Sequence, residues 1–540
     1  YRYLLMNVAG SGGTRTFEDR SQASGLFATR EGTFGRASHL MVFADVNNDG
    51  HLDAFSGSYV DAKSDADPPD PGDRNEILLG DGKGSFVLGP KSGLFHDEKY
   101  STTSAAFLDY DRDGNVDLFV GFWYEIYPYV PANQDRLYRG NGDGSFTEVT
   151  DQMGLTTYRD KGFAEGTNSR PTYGVTACDV DGDGDTDILV SAYGRQRNML
   201  WRNDGTTFVN VAPESGFDAD DLLDYKDNEF YRCYCQTSGS CSADPPRIQC
   251  TNTSWNPGFD DQPWRLGGNT FTTVCADYDN DGDMDLFNAE IRHWHIGLSS
   301  DPSEMLVNTG ASPLAFDRPG NAKLGLVRTH TTTAWNEGDI SAALFDFDAD
   351  GLQDLLLMDS DYPDTRTWFF HQKADHTFEE IAQQAGIGHD RAQEVTVADL
   401  DGDGDLDAVM GTSTMRAGAT GPKTAQVHVY ENLVGSDSNW LKLRLVGAGK
   451  GGANRAAIGA RVQVTTGGKT QLREVGGGYG HFGLQHDLVL HFGLGSSCEV
   501  DKLEVIWPDK TNSRSTFSAV QANYLVEIDQ QTGALRYVTK

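Results

Sequence analysis

Cysteine is scarce, with seven in 540 residues, so the chain is not a disulfide scaffold whose core is replaced by crosslinks. Basic residues are outnumbered, 44 Lys and Arg against 80 Asp and Glu, and the net charge of −36 argues against nucleic acid or an anionic membrane as a partner. No apolar run approaches the roughly 18–20 residues that span a bilayer. The chain lacks a G-x-S-x-G nucleophile turn, a P-loop, a dinucleotide glycine fingerprint and an Arg-Gly-Asp tripeptide. It opens at Tyr1 without a methionine, which leads us to expect a processed N-terminus whose signal peptide has been removed.

What is abundant is one aspartate loop, written six times. The copies are DVNNDGHLD from Asp45, DYDRDGNVD from Asp109, DVDGDGDTD from Asp179, DYDNDGDMD from Asp277, DFDADGLQD from Asp346 and DLDGDGDLD from Asp399. Side-chain oxygens at positions 1, 3 and 5 converge on one point, glycine at 6 takes the sharp turn, and an Asp at 9 closes the loop. The expected ligand side chains are Asp45, Asn47, Asp49 and Asp53; Asp109, Asp111, Asp113 and Asp117; Asp179, Asp181, Asp183 and Asp187; Asp277, Asp279, Asp281 and Asp285; Asp346, Asp348, Asp350 and Asp354; Asp399, Asp401, Asp403 and Asp407. Position 7 offers only its carbonyl, so it varies freely: His51, Asn115, Asp185, Asp283, Leu352 and Asp405. An all-oxygen, flexible, carboxylate-rich loop suits Ca²⁺ better than the strict octahedron of Mg²⁺. We therefore expect about six structural calcium ions, which would bring the net charge to about −24.

The loops start 64, 70, 98, 69 and 53 residues apart. Each lies between short runs rich in β-formers, and each is preceded by a stretch such as RLYRGNGDGSFTEVTDQMGL or NMLWRNDGTTFVNVAPESGF. The unit reads as strand, Asp loop, strand, strand, Gly-rich turn and closing strand, which is a propeller blade. An all-β fold follows: a β-propeller over 1–436 with six calcium-loop blades, and a β-rich domain over 437–540. The stretch TFEDRSQASGL near the N-terminus resembles the last half of a unit, which means six blades or a seventh without a loop.

These units resemble FG-GAP (VCBS-type) repeats, the blades of integrin α-chain heads, and that resemblance narrowly favours seven blades over six. The segments NRAAIGARVQVTTGGKTQLREVGGGYG (Asn454 to Gly480), LHFGLG (Leu490 to Gly495) and LEVIWPDK (Leu503 to Lys510) resemble the ASPIC/UnbV domain that follows such propellers in the family of cartilage acidic protein 1. One departure is visible. Family members carry a Ser-Gln pair soon after the glycine-tyrosine element, where this chain has His481-Phe482-Gly483-Leu484-Gln485.

The longest spacing holds an insertion over 218–268 with Cys233, Cys235, Cys241 and Cys250 and the sequon at Asn252. Four thiolates would suit zinc, but two disulfides in a secreted loop are favoured, because the Asp loops call for extracellular calcium. Asn252 is a glycosylation candidate. Cys178 and Cys275 hold matching places before their Asp loops, as buried thiols or a further pair, and Cys498 stands alone.

Two clusters bear weighing for chemistry. His293 and His295 follow the fourth loop and face one side of an expected strand, and Glu337 with Asp339 precedes the fifth. Brought together near the channel, they would form a metal or acid–base site; otherwise they are satisfied polar groups between blades. His481, His486 and His491 have no regular ligand spacing and read as core or surface histidines. The expected function is an extracellular binding, adhesion or matrix module whose partner is a protein, a glycan or further copies of itself, extending to filaments. The alternative is a secreted propeller enzyme, a lyase or hydrolase acting on carbohydrate.

Overall fold

The computed structural model describes residues 3–10, 15–30, 40–59, 74–96, 100–126, 129–251, 254–363, 365–416, 424–435 and 438–539. Asn252, the glycosylation candidate, lies outside them.

Six antiparallel sheets follow one another along the chain, each led by a strand that runs into an Asp loop. The lead strands are Leu40–Ala44, Thr102–Leu108, Thr172–Cys178, Thr270–Ala276, Ser341–Phe345 and Ala392–Ala398. Five sheets have four strands in sequence order, and the fourth gains a further short strand, Asn336–Gly338. The sixth has three strands among the described residues. Both faces of Thr102–Leu108 and of Ser341–Phe345 are buried, as expected where a strand is packed between neighbouring sheets rather than half-exposed.

Neighbouring sheets are tied by a repeated contact. A third-strand amide donates to the carbonyl at loop position 2 of the preceding sheet: Asn203 to Tyr110 (2.9 Å), Asn308 to Val180 (2.9 Å), Gln372 to Tyr278 (2.9 Å) and Asn432 to Phe347 (2.5 Å). The N-terminal hairpin, Leu5–Ala9 with Arg15–Asp19, repeats it: the Asn7 amide donates to Leu400 O (2.5 Å) of the sixth loop. On its other side the chain after the hairpin reaches the first sheet, where Phe86 N donates to Ser24 O (2.6 Å). The hairpin thus follows the sixth sheet as each sheet follows its predecessor, and no inner strands pair with it among the described residues.

From Asn439 onward two four-stranded sheets pack face to face. One holds Asn439–Val446 paired in parallel with Leu525–Asp529, and the other holds Arg461–Thr466 paired with Glu499–Ile506. Their inner residues Leu441, Leu443, Val462, Val505 and Val526 are fully buried and share one apolar cluster with Val42, Phe55 and Phe107 of the first two propeller sheets. The two halves therefore share one core.

The segment 477–486 leaves this C-terminal unit and enters the channel, touching all six lead strands. Phe107 N donates to Gly477 O (2.9 Å), Phe482 N to Thr103 O (2.9 Å), His481 N to Thr272 Oγ1 (3.1 Å) and Tyr479 Oη to Ala342 O (3.1 Å). Gly174 pairs with His481 as an isolated bridge. Gln485 does the work of a strand between the sixth and first sheets: its amide takes Phe43 N and gives to Phe43 O (both 2.8 Å), while its carbonyl accepts from Thr396 Oγ1 (2.7 Å). The glycines here have a steric reason, since a Cβ on Gly477 would lie 2.0 Å from Phe107 O.

The insertion holds a helix, Glu229–Ser238, that the all-β reading did not anticipate. Asn228 caps its start by accepting Phe230 N (2.9 Å), and left-handed Gly239 ends it. Disulfides Cys233–Cys250 and Cys235–Cys241 staple it, and Cys178–Cys275 joins the third and fourth lead strands. Cys498 is free and exposed. No helix among the described residues is long and apolar enough to cross a membrane.

Candidate metal loops and the face they occupy

The second loop shows how the local sequence closes. Asp109 accepts Asp113 N (3.0 Å) on one oxygen and Gly114 N (3.1 Å) on the other, and Asp113 accepts Asn115 N (2.8 Å). The position-6 glycines all lie at positive φ, between Gly114 at 87° and Gly404 at 106°, where a side chain would be strained.

The Asp at position 9 is a latch in all six loops. Asp117 accepts Tyr110 N (3.0 Å) from its own loop and Gly140 N (2.8 Å) from the third strand, and Asp53, Asp187, Asp285, Asp354 and Asp407 do the same with their counterparts.

Several of these acidic clusters can hold a metal ion. Carboxylate oxygens of positions 1, 3 and 9 come within 4.8 Å of one another in the second, third and fourth loops, and those of Asp346, Asp348 and Asp350 do so in the fifth. The donor set fits a hard cation: Asp179 Oδ1, Asp277 Oδ2 and Asp348 Oδ1 are buried without a hydrogen-bond partner. Burial first, and then mutual repulsion, push Asp109 and Asp117 well above the carboxylate range, Asp277 up to about 7 and Asp285 up to about 8. A bound cation would relieve that repulsion. The fifth loop differs, because His371 Nδ1 lies 2.9 Å from Asp354 Oδ1 and its other nitrogen 3.9 Å from Asp348.

The C-terminal domain sits over these loops and brings its own cations. Arg461 pairs with Asp179 (2.8 Å), Lys442 pairs with Asp399, and Arg473 and Arg455 favour ionisation of Asp277 and Asp45 respectively. Sequence reasoning missed these partners. The available signal was charge asymmetry: residues 437–540 carry twelve Lys and Arg against nine Asp and Glu, in a chain of net charge −36.

The candidate acid–base cluster lies at the opposite end of the strands. Strand Asp285–His293 ends at His293, so His295 stands in the following turn, yet the two rings stack at 5.2 Å. The expected shared strand is therefore corrected, and their proximity comes from the turn. His293 faces Asn336 Oδ1 (2.8 Å), and burial pushes it down to about 4. Glu337 and Asp339 are both taken by buried Arg328, at 3.2 Å and 2.7 Å, with His330 a further 3.2 Å partner of Glu337. Burial raises Glu337, but Arg328, His330 and Arg292 together outweigh it and hold the carboxyl down to about 2. His481 and His486 line the channel segment, paired with Glu394 (3.0 Å) and Tyr479 (2.9 Å), and buried His491 faces Gly404 O (2.9 Å).

Comparison with known families finds the FG-GAP-like repeat over residues 129–190 and 316–410, and the ASPIC and UnbV domain over 449–535. No curated protein matches the chain. Solved structures similar to it include an Agrocybe aegerita lectin recognising non-reducing terminal N-acetylglucosamine (16% identity, 78% of this chain, 86% of that one, TM-score 0.39). They also include the Vibrio cholerae biofilm matrix protein Bap1 (10% identity, 84% and 63%, TM-score 0.31) and a Bacillus licheniformis rhamnogalacturonan lyase (11% identity, 91% and 91%, TM-score 0.28). At these scores none of them carries an argument about ligand or reaction.

Proposed function

We propose that this chain of FG-GAP-like repeats and an ASPIC and UnbV domain is an extracellular, calcium-loaded binding module whose partner approaches the face away from the Asp loops. The observation that carries the reading is the set of six Asp loops, at least four of which gather carboxylates close enough to share one ion, with several oxygens buried without a partner. Calcium there joins two strands of each sheet and cancels like charges, so it stabilises the ring rather than performing chemistry. The loop face is occupied by the C-terminal domain through Arg461 and Lys442, which leaves the other face, with the stapled insertion, to meet a glycan, a protein or another copy of the chain. Three disulfides accord with an oxidising compartment.

Two features weigh against a carbohydrate lyase or hydrolase working in the channel. Segment 477–486 enters it and bonds to its lead strands, and Glu337 and Asp339 are committed to Arg328.

The test is metal analysis of protein purified in calcium, followed by thermal unfolding across free calcium concentrations. About six bound ions are expected. A single site taken from its dissociation constant to a hundredfold excess adds about 2.3 kcal/mol (2.7 relative to metal-free protein). Protein that retains no calcium, with a melting temperature unmoved by chelator, would refute the reading.

A further inference from the structure

The stapled insertion and the third sheet enclose a cleft of about 680 Å³ on the face away from the Asp loops. The ring supplies Phe163, Arg195 and Ile296, and the insertion supplies Phe230, Trp255, Phe259 and Arg265. Three arginines, Arg159, Arg195 and Arg265, line the cleft with two carboxylates, Asp160 and Asp260, an excess of positive charge that is unexpected in a chain so acidic.

Arg195 and Arg265 are also poorly neutralised. Arg195 gives one hydrogen bond from its guanidinium, to Ser299 Oγ (3.2 Å), and makes no ion pair among the described residues. Arg265 donates to Gly194 O and lies 3.7 Å from Asp260, its sole carboxylate partner among the described residues. The Nε atoms of both are buried without a partner. Burial, and next the charge of Arg265, pull Arg195 down to about 10 against the opposing attraction of Asp260 and Asp301, so the pair is held together against its own repulsion. An incoming anion would relieve that repulsion and accept from both planar forks.

The walls describe the rest of the ligand. Phe163 and Phe259 each pack on Trp264 at 5.0 Å, which fixes their rings, and Arg265 lies over Phe259 at 5.1 Å. Fixed aromatic walls suit the C–H face of a saturated ring, while Asp160, Ser254 and Asn256 add polar groups for hydroxyls. A flat aromatic acid would leave those polar groups unused.

We propose that this cleft binds an acidic sugar residue, its carboxylate or sulfate held between Arg195 and Arg265 and its ring set against the aromatic walls. The site deepens the binding-module reading by naming a ligand class, but the arginine pair stands independently of the calcium loops.

The experiment is calorimetric titration of the full-length, calcium-loaded protein with D-glucuronate, D-glucose 6-sulfate, D-glucose and inorganic sulfate. One or both sugar acids should bind at least about tenfold more tightly than glucose or sulfate, and their ranking tells carboxylate from sulfate ester. Arg195→Gln should weaken the sugar acids about tenfold or more while leaving calcium stabilisation unchanged, which separates failure of this site from failure of the calcium reading. Phe163→Ala, which leaves both arginines in place, should weaken the sugar acids and spare sulfate, and it serves if Arg195→Gln does not fold. Several outcomes would overturn the proposal: no sugar acid bound at about 20 mM, glucose or sulfate bound as well as the acids, or full affinity in both variants.

Discussion

Asp135 gives the sharpest test of the fold's electrostatics away from any metal loop. It is buried before the third strand of the second sheet, accepting Phe122 N (2.8 Å) on one oxygen and Thr172 Oγ1 (2.7 Å) on the other. No cation among the described residues offsets its burial, which pushes its pKa from 3.8 up to about 7 despite those two hydrogen bonds. The folded state therefore holds a proton that the unfolded state releases between pH 3.8 and about 7. Stability falls as pH rises through that window. Three pKa units correspond to about 4 kcal/mol above pH 7, an upper bound given residual structure in the unfolded chain.

The first sheet shows the neutral alternative. There Asn75 stands in the same place and accepts Ser58 N (2.8 Å) and Thr102 Oγ1 (3.0 Å), and Asn198 accepts Ala192 N (2.8 Å) in the third. Asp135→Asn should match the parent within about 1 kcal/mol at pH 4 and exceed it by up to about 4 kcal/mol at pH 8. Urea denaturation of both proteins across that range, at saturating calcium, isolates the effect because the Asp loops titrate alike in each. A stability difference that stays flat with pH would show that Asp135 is ionised in the fold and would refute the reasoning.

Two further perturbations follow. Arg328→Met strands Glu337 and Asp339 as buried carboxylates and should cost about 3–5 kcal/mol in denaturant unfolding, with the loss shrinking as pH falls and the acids protonate. Removing both Lys442 and Arg461, as methionines, frees Asp399 and Asp179; calorimetry should show tighter calcium binding at the third and sixth loops, and limited proteolysis should cut faster near 431–438, between propeller and C-terminal domain.

The Asp loops were legible because everything they need is local: the latch Asp117, the turn at Gly114 and the acids between lie within nine residues. The sheet order followed, since each unit repeats that pattern with its own turn chemistry. What escaped was set by partners far along the chain. Nothing near Asp179 announces Arg461, and nothing near Phe43 announces Gln485. Glu337 and Asp339 looked available because Arg328, only eleven residues from Asp339, reads as an ordinary loop arginine until the fold buries it between them. The helix in the insertion was hidden by its cysteines and by the polar sequence around it, although Asn228 and Gly239 are ordinary helix-end residues.

The channel segment has a consequence for how the molecule is made. The lead strand of the first sheet is synthesised more than four hundred residues before Gln485, the side chain that bridges it to the sixth. A nascent chain emerging from the ribosome can stack sheet on sheet and bring the N-terminal hairpin between the sixth sheet and the first, but the bridge through Gln485 forms only after residue 485 has emerged. The axle is delivered after the wheel. Such long-range closure is slow and leaves sheet edges open to neighbouring chains meanwhile. A ribosome that stops before residue 477 releases six sheets without the segment that touches every lead strand.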